Sequence, residues 1–532
     1  MNTNKIIAAA AIGLCSLTAL SAWAQTEKYV EISTKGEYIT CPASDINYID
    51  VFDQLTPPTN VTATYSDGKI HLTWDEVEGA TSYDIYCSCS HSCNFLAGSI
   101  DYYHSLIDTG ILRYATRIKD NSYIIDTSDY RNTFWNFYGI INFYIGANDE
   151  HDRHGALSSG VEVTNIRPYH ITVRTLCGYK SAGDSQGAVY GPFETTSGFG
   201  LPGSMAFDPL YPNRLYIVYE GGLSPNGGIV QLDLEAKTHT LLMSKSKFEN
   251  KCVRNCAFTK DGQYMLVSTH RNDNGYDSPG VWIIKRNDDG TFSDESSMKL
   301  LAACSLCNSV AVHPVNGEVY FISADAVGLY RIDIDRYFNT ISEGKEWSGT
   351  REYESFGYAS YRFDRNLNSI SIHPSGNYAY LNCSNGIWRT DYDWNKKTFT
   401  TPYCVIGGGK TGFMNGESYS AELDRAYQGV FVKNSSYDDR ELDEYDYYFT
   451  DENNFCIRQL TSVQKRLQTV VGHASVDNMP GYEDGNCAQA RFSAISGLAY
   501  DENTKNFYVL DNGNRCIRTF YSGRRRPNTS TK

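Results

Sequence analysis

One stretch near the end of this chain is written twice. Thr469-Val470-Val471-Gly472 leads to Gly481-Tyr482-Glu483-Asp484-Gly485, Ala490-Arg491-Phe492, Gly497-Leu498-Ala499-Tyr500-Asp501, Phe507-Tyr508-Val509-Leu510-Asp511 and Asn514-Arg515-Cys516-Ile517-Arg518. The earlier version runs Gly407-Gly408, Gly412-Phe413-Met414-Asn415-Gly416, Gly429-Val430-Phe431-Val432, Tyr448-Phe449-Thr450-Asp451 and Asn454-Phe455-Cys456-Ile457-Arg458. Looser copies start at Pro202-Gly203-Ser204-Met205-Ala206-Phe207, Cys256-Ala257-Phe258, Val310-Ala311-Val312-His313 and Ile370-Ser371-Ile372-His373. A period of about 50 residues, kept over six copies, means units that cannot bury their apolar faces alone and must pack on their neighbours. Alternating runs such as Leu215-Tyr216-Ile217-Val218 and Val319-Tyr320-Phe321-Ile322 make those units β rather than α.

The two long copies resemble NHL repeats, the blades of β-propellers. That resemblance implies an all-β fold with a six-bladed NHL-type propeller over residues 171–522. The last copy ends after Ile517-Arg518-Thr519-Phe520 without an outer strand. Ile171-Thr172-Val173-Arg174-Thr175-Leu176-Cys177-Gly178 stands before the first copy and matches Leu467-Gln468-Thr469-Val470-Val471-Gly472. Strand 171–177 is therefore expected to complete the blade begun near residue 492, leaving no open edge. The basic tail 523–532 is expected to be disordered.

The segment before the repeats has its own punctuation. Residues 1–24 read as a signal peptide: Lys5, an apolar stretch from Ile6 to Leu20, and Ala22-Trp23-Ala24 ahead of Gln25. Leu14 before Cys15 speaks against a lipid anchor there. Residues 25–56 form a short β preface in which Tyr29 to Ser33, Tyr38 to Thr40 and Asp45 to Val51 alternate. This preface resembles one found on many exported proteins of Bacteroidota. Pro57-Pro58 then opens residues 57–165, where Leu72-Thr73-Trp74 and Tyr83-Asp84-Ile85-Tyr86 resemble a fibronectin type III domain with Trp74 at its core. Leu157 to Val163 resembles that family's final strand, while residues 94–138 exceed its pattern.

Charge narrows the function. With 47 Lys+Arg against 62 Asp+Glu the chain has a net charge of −15, contrary to a nucleic-acid binder. No stretch after residue 25 offers the run of apolar residues a membrane helix needs. Forty-one tyrosines point to stacking on sugar rings. The candidate ligand-binding residues are Trp282, Tyr276, Trp347, Trp388 and Trp394, although β-strands also use such rings in packing. The resulting expectation is an exported, non-catalytic protein binding a polysaccharide or oligosaccharide, located in the periplasm, at the cell surface or secreted. A protein–protein scaffold with a protein partner is one alternative, and a propeller lyase or hydrolase another.

Chemistry-bearing motifs are sparse. There is no nucleophile elbow, no H-E-x-x-H and no phosphate loop, so neither a catalytic residue nor a cofactor is expected. His313 and His373 precede prolines at matching repeat positions and read as turn residues before metal ligands. Cys252, Cys256, Cys304 and Cys307 sit ahead of successive repeat strands and suggest loop disulfides, with buried thiols or a zinc site as alternatives. Cys87, Cys89, His91 and Cys93 alternate, and Asn148 to His154 forms a polar loop. Arg458 and Arg518 recur at one repeat position and are expected to tie turns within a blade.

Overall fold

The computed structural model describes residues 17–18, 29–34, 37–42, 54–66, 68–88, 111–127, 139–166, 171–178, 188–195, 199, 203–219, 227–248, 252–270, 279–304, 306–323, 328–349, 354–355, 367–417, 420–433, 445–462, 465–472, 480–487 and 489–521. These residues are nearly all β, organised in several antiparallel sheets, with one α-helix, Ile334–Ser342, among them. Tyr29–Thr34 pairs with Glu37–Pro42 on one side and with Leu17–Thr18 on the other. The expected strand over Asp45 to Val51 lies outside the described residues.

Two sheets share the next core. Thr62–Ser66, Lys69–Thr73 and Ser122–Asp126 form one. Ser82–Ser88 lies in the other, between Leu112–Ile118 and Gly139–Asn148, and the latter also carries His154–Leu157 and Val161–Ile166. Alternation puts Ile70, Leu72 and Ile125 of the first sheet against Ile85, Ile141, Phe143 and Ile145 of the second. Trp74 is buried there, edge-on to Tyr83 at 5.3 Å between ring centroids.

From residue 171 onward the described residues form six sheets. Their first strands are Gly203–Phe207, Cys252–Phe258, Cys307–Val312, Leu367–Ile372, Ala426–Lys433 and Ile495–Asp501. Each pairs with the strand after it, and each sheet continues outward through the next strands in chain order, the first, fifth and sixth ending in a two-residue edge strand (Gly191–Pro192, Gly416–Glu417 and Gly485–Asn486) that precedes the first strand in the chain. The first strands also touch one another in sequence, and the sixth touches the first, so the six sheets form a closed cycle. The sixth sheet takes its outer strand from the other end of the chain: Thr172–Cys177 pairs with Cys516–Tyr521, Val173 opposite Phe520. Apolar layers between neighbouring sheets hold the cycle together, such as Val253, Met265 and Trp282 against Tyr216, Val218 and Ile229.

A hoop of polar bonds runs inside these layers. One residue near the start of each first strand bonds the backbone of the next. Ser204 Oγ accepts from Cys256 N–H at 3.3 Å, Asn255 Oδ1 from Val310 N–H at 3.0 Å, and Ser309 Oγ from Ile370 N–H at 3.3 Å. Ser369 Oγ donates to the Tyr427 carbonyl. Gln428 Oε1 accepts from Leu498 N–H at 3.0 Å, and Ser496 Oγ accepts from Gly203 N–H at 3.1 Å. Buried polar atoms need partners, and only a closed cycle gives every one of these positions a neighbouring strand to bond.

Candidate functional site

The hoop places an unusual cluster at the end of the cycle where the first strands begin. Second strands finish at that same end, as the pairings Cys252 with His270, Leu367 with Cys383 and Ala426 with Asp451 show. In five of the six sheets the register slips close to this end: between Val253 and Asn255, Cys307 and Ser309, Leu367 and Ser369, Ala426 and Gly429, and Ile495 and Leu498. Such bulges re-aim side chains and gather at rims and sites. The skipped residues include Arg254, Asn308, Asn368 and Tyr427.

Arg254 belongs to the second sheet and Tyr427 to the fifth, on opposite sides of the cycle. Burial raises the Tyr427 hydroxyl above its ordinary value and the Arg254 guanidinium is the main opposing influence, so the two groups act on each other across the cycle. Gln428 crosses more obliquely, accepting from Met205 N–H at 2.9 Å and donating to Met205 O at 2.8 Å. Protein side chains thus occupy the centre at this level.

Glu452 completes the cluster. It follows Asp451 at the end of the fifth sheet's second strand and is 3% exposed. Its Oε1 accepts a long 3.5 Å bond from Arg425 Nη1, and its Oε2 lies 3.1 Å from Arg425 Nε, out of line for a hydrogen bond. Burial pushes the carboxyl up to about 7, against the opposing pull of Arg425 and Arg254 and with a smaller push from Asp424. Arg425 itself is held at φ +68°, left-handed backbone that a long side chain adopts only under constraint. One sheet further round, Asn512 follows Asp511 as Glu452 follows Asp451; it is 8% exposed, and its Oδ1 has no hydrogen-bond partner. Glu452 is thus a buried carboxyl ion-paired with Arg425, while Asn512 Oδ1, at the matching place one sheet on, is a buried acceptor without a hydrogen-bond partner.

The residues singled out from sequence lie elsewhere. Trp282 is on a strand, 8% exposed, with its indole N–H donating to Thr269 Oγ1 at 3.2 Å and its ring edge-on to Phe248. It packs between sheets instead of projecting from a loop, because alternation turns it inward. Trp347 is half-buried, donating to Leu301 O at 2.8 Å and edge-on to Tyr337. Trp388 is half-buried on Gly386–Asp393, and Trp394 is exposed in the turn after it, donating to Asn377 Oδ1 at 2.9 Å. Tyr276 lies outside the described residues.

The cysteines differ from the expected loop disulfides. Cys252 and Cys256 lie on one strand, and the Cys304 and Cys307 thiols interact across the connection between the second and third sheets. All four are free thiols, and no group of three or more metal-ligating side chains gathers among the described residues. The reason is positional: Cys256 is enclosed beneath Ser204 and Cys307 within the neighbouring layer. Cys89, His91 and Cys93 fall outside the described residues. His313 is fully buried, with Nε2 3.0 Å from Gly376 O and Nδ1 accepting from Val315 and Asn316 N–H groups, while His373 Nδ1 lies 2.7 Å from Ser375 Oγ. Both shape turns at the end opposite the cluster. Asp149 accepts from His151 and Arg153, closing the polar loop on itself.

Sequence reasoning missed Arg254, Tyr427 and Glu452, which no local spacing joins. A polar residue recurring inside otherwise apolar first strands (Ser204, Asn255, Ser309, Ser369, Gln428, Ser496) was the available signal.

The fold and cluster define an all-β protein with a polar centre on a closed cycle of sheets. Neither a protein-family model nor a curated protein matches the chain. Solved structures do. A provisionally named phosphatase of Bacteroides thetaiotaomicron is 29% identical, with a TM-score of 0.60 over 89% of this chain and 97% of that one. An auxiliary nutrient binding protein of the same organism is 26% identical, with a TM-score of 0.55 over 88% and 98%. A second auxiliary nutrient binding protein, from Bacteroides ovatus, shares the fold at 20% identity and a TM-score of 0.55 over 88% and 97%.

Proposed function

We propose that this protein is an exported, non-catalytic binding protein that captures a glycan. The closed cycle of sheets is read as a six-bladed NHL-type β-propeller completed by strand 171–177, and the two-sheet unit before it as a fibronectin type III-like sandwich. The observation that carries the reading is the likeness, over nearly all of both chains, to a nutrient binding protein at 26% identity. Exposed Trp394 and half-buried Trp388 are among the described aromatics available for stacking on sugar. No helix of the described residues is long and apolar enough to cross a membrane.

A glycan-array screen on the full chain tests the reading. Binding to one polysaccharide class without product release supports it, and a blank array removes it in favour of a protein–protein scaffold. The second reading is a hydrolase, favoured by the 29% identity to the provisionally named phosphatase. Release of nitrophenol from p-nitrophenyl phosphate, proportional to protein and lost on heat denaturation, would establish it.

A further inference from the structure

We infer that the turns at the end of the cycle opposite the polar cluster form the glycan-binding surface, with Trp394 as its platform, and that they take a neutral polysaccharide by the faces of its sugar rings. The inference rests on the binding reading and goes further by naming the surface and the class of glycan. Trp394 is 44% exposed, yet three contacts hold its ring in place. Its indole N–H donates to Asn377 Oδ1 at 2.9 Å, and the ring stands edge-on to Tyr392 at 4.8 Å and to His313 at 5.5 Å between centroids. The Tyr392 hydroxyl is fixed in turn, donating to Glu318 Oε2 at 2.8 Å and accepting from Asn316 Nδ2 at 2.8 Å. An exposed ring that is already ordered loses little freedom when a ligand covers it.

The same turns offer hydrogen bonds beside that ring. An indole N–H only donates, so Asn377 must present its carbonyl oxygen to Trp394, which leaves its NH2 group without a partner among the described residues. Exposed Asn395 commits its backbone N–H to Asp393 Oδ1 and keeps its side-chain amide free among the described residues. The apolar surface continues sideways. Exposed Val315 lies over Gly376, where an added Cβ would stand 3.1 Å from its Cγ2, and exposed Leu210 lies over Gly262. Lys260 Nζ, from the turn that holds Gly262, donates to Val315 O at 2.7 Å. These contacts join the turns of four successive sheets into one face, which suits a polymer better than a single sugar.

Charge decides between kinds of glycan. Glu318 is paired with Arg331 at 3.2 Å and Asp393 with Lys396 at 3.8 Å. Burial pushes His313 below its usual value, so it is uncharged at neutral pH. Lys397 is the one charged side chain of the Trp394 turn with no partner among the described residues, and a single solvated ammonium adds little. An apolar face and free amides remain, and they match the C–H face and the hydroxyls of a neutral sugar.

The test is affinity electrophoresis of the full chain in gels containing amylopectin, arabinoxylan, galactomannan or polygalacturonate. The wild type is expected to be retarded by at least one of the neutral polymers. Trp394→Ala should weaken that binding about ten-fold or more, and Trp394→Phe, which keeps a ring face, should weaken it less. Melting temperatures are read on the same samples. Amide hydrogen exchange on the wild type with the bound polymer needs no variant: protection is expected at residues 313–318, 375–377 and 393–397. Binding unchanged in Trp394→Ala, protection absent from those turns, or retardation by polygalacturonate alone overturns the inference while the glycan reading stands. A wild type retarded by none of the four overturns both.

Discussion

Arg458 Nη1 and Asp451 Oδ2 meet at 2.6 Å with neither side chain exposed to solvent. The pair recurs one repeat later as Arg518 and Asp511 at 3.1 Å, equally buried. Each arginine also reaches a second side chain, Asn415 Oδ1 at 3.1 Å for Arg458 and Asp484 Oδ1 at 2.6 Å for Arg518, and two backbone carbonyls. Arg458 donates to Met414 O and Glu422 O, while Arg518 donates to Arg491 O and Glu483 O. Phe413 lies under one guanidinium and Phe492 under the other. The motif therefore pins the segment that enters each of these two sheets to that sheet's second and third strands. Removing one partner strands a buried charge, so Arg458→Met should cost about 3–5 kcal/mol. Urea unfolding measures this, with Arg491→Ala as the contrast: its exposed 3.7 Å contact with Glu483 should be worth no more than about 1 kcal/mol.

Glu452 should give the protein a pH-dependent stability of definite sign. Its carboxyl is raised from 4.5 to about 7 in the folded state, so the folded chain holds the proton more tightly than the unfolded one. The stabilisation from that proton is fully present below pH 4.5 and is lost as pH rises through 7. Asp451 and Asp511, raised by burial from 3.8 to about 6, act in the same sense over a lower window. Unfolding free energies of wild type and Glu452→Gln between pH 4 and pH 8 isolate the first contribution: the wild-type curve should fall more steeply than the variant's from pH 4.5 to 7.

The buried thiols should be slow to react. Burial pushes Cys256 up to about 12 and carries Cys307 well above its usual value, so both stay as thiols at neutral pH. Iodoacetamide at pH 8 should leave Cys256 and Cys307 unmodified in the native protein and label them in urea, as peptide mass mapping will show. Prompt native labelling would mean that this layer opens readily.

Val173 joins the two ends of the cycle. It is fully buried opposite Phe520 and packs with Phe492 and Phe507. Val173→Asp puts a charge among those rings and should destabilise the cycle by about 3 kcal/mol or more. Limited proteolysis should then cut near both 171–177 and 516–521. Cleavage at one place alone would argue against the two strands acting as a unit.

Much of this architecture is written in local periodicity. The repeat copies at Pro202, Cys256, Val310, Ile370, Gly429 and Gly497 coincide with the first strands of the six sheets, because alternation and turn residues are properties of neighbours in sequence. The match between residues 171–177 and 467–472 identified an outer strand by the same logic. The cluster was not legible in this way, since Arg254 and Tyr427 face each other only once the cycle closes. Trp282 illustrates the converse difficulty: an aromatic residue reads alike whether its strand turns it inward or a loop turns it outward, and here Thr269 and Phe248 enclose it.

The pairing of Thr172–Cys177 with Cys516–Tyr521 also makes the chain a check on its own completeness. Synthesis delivers the outer strand of the sixth sheet first and its partner last. Until the final repeat arrives, the early strand offers unmet backbone groups and the hoop of polar bonds has a gap between its first and last members. A product cut short anywhere in the last repeat carries an open edge of the kind that proteases and aggregation both seek out. Finished and unfinished copies are thereby told apart by the fold itself.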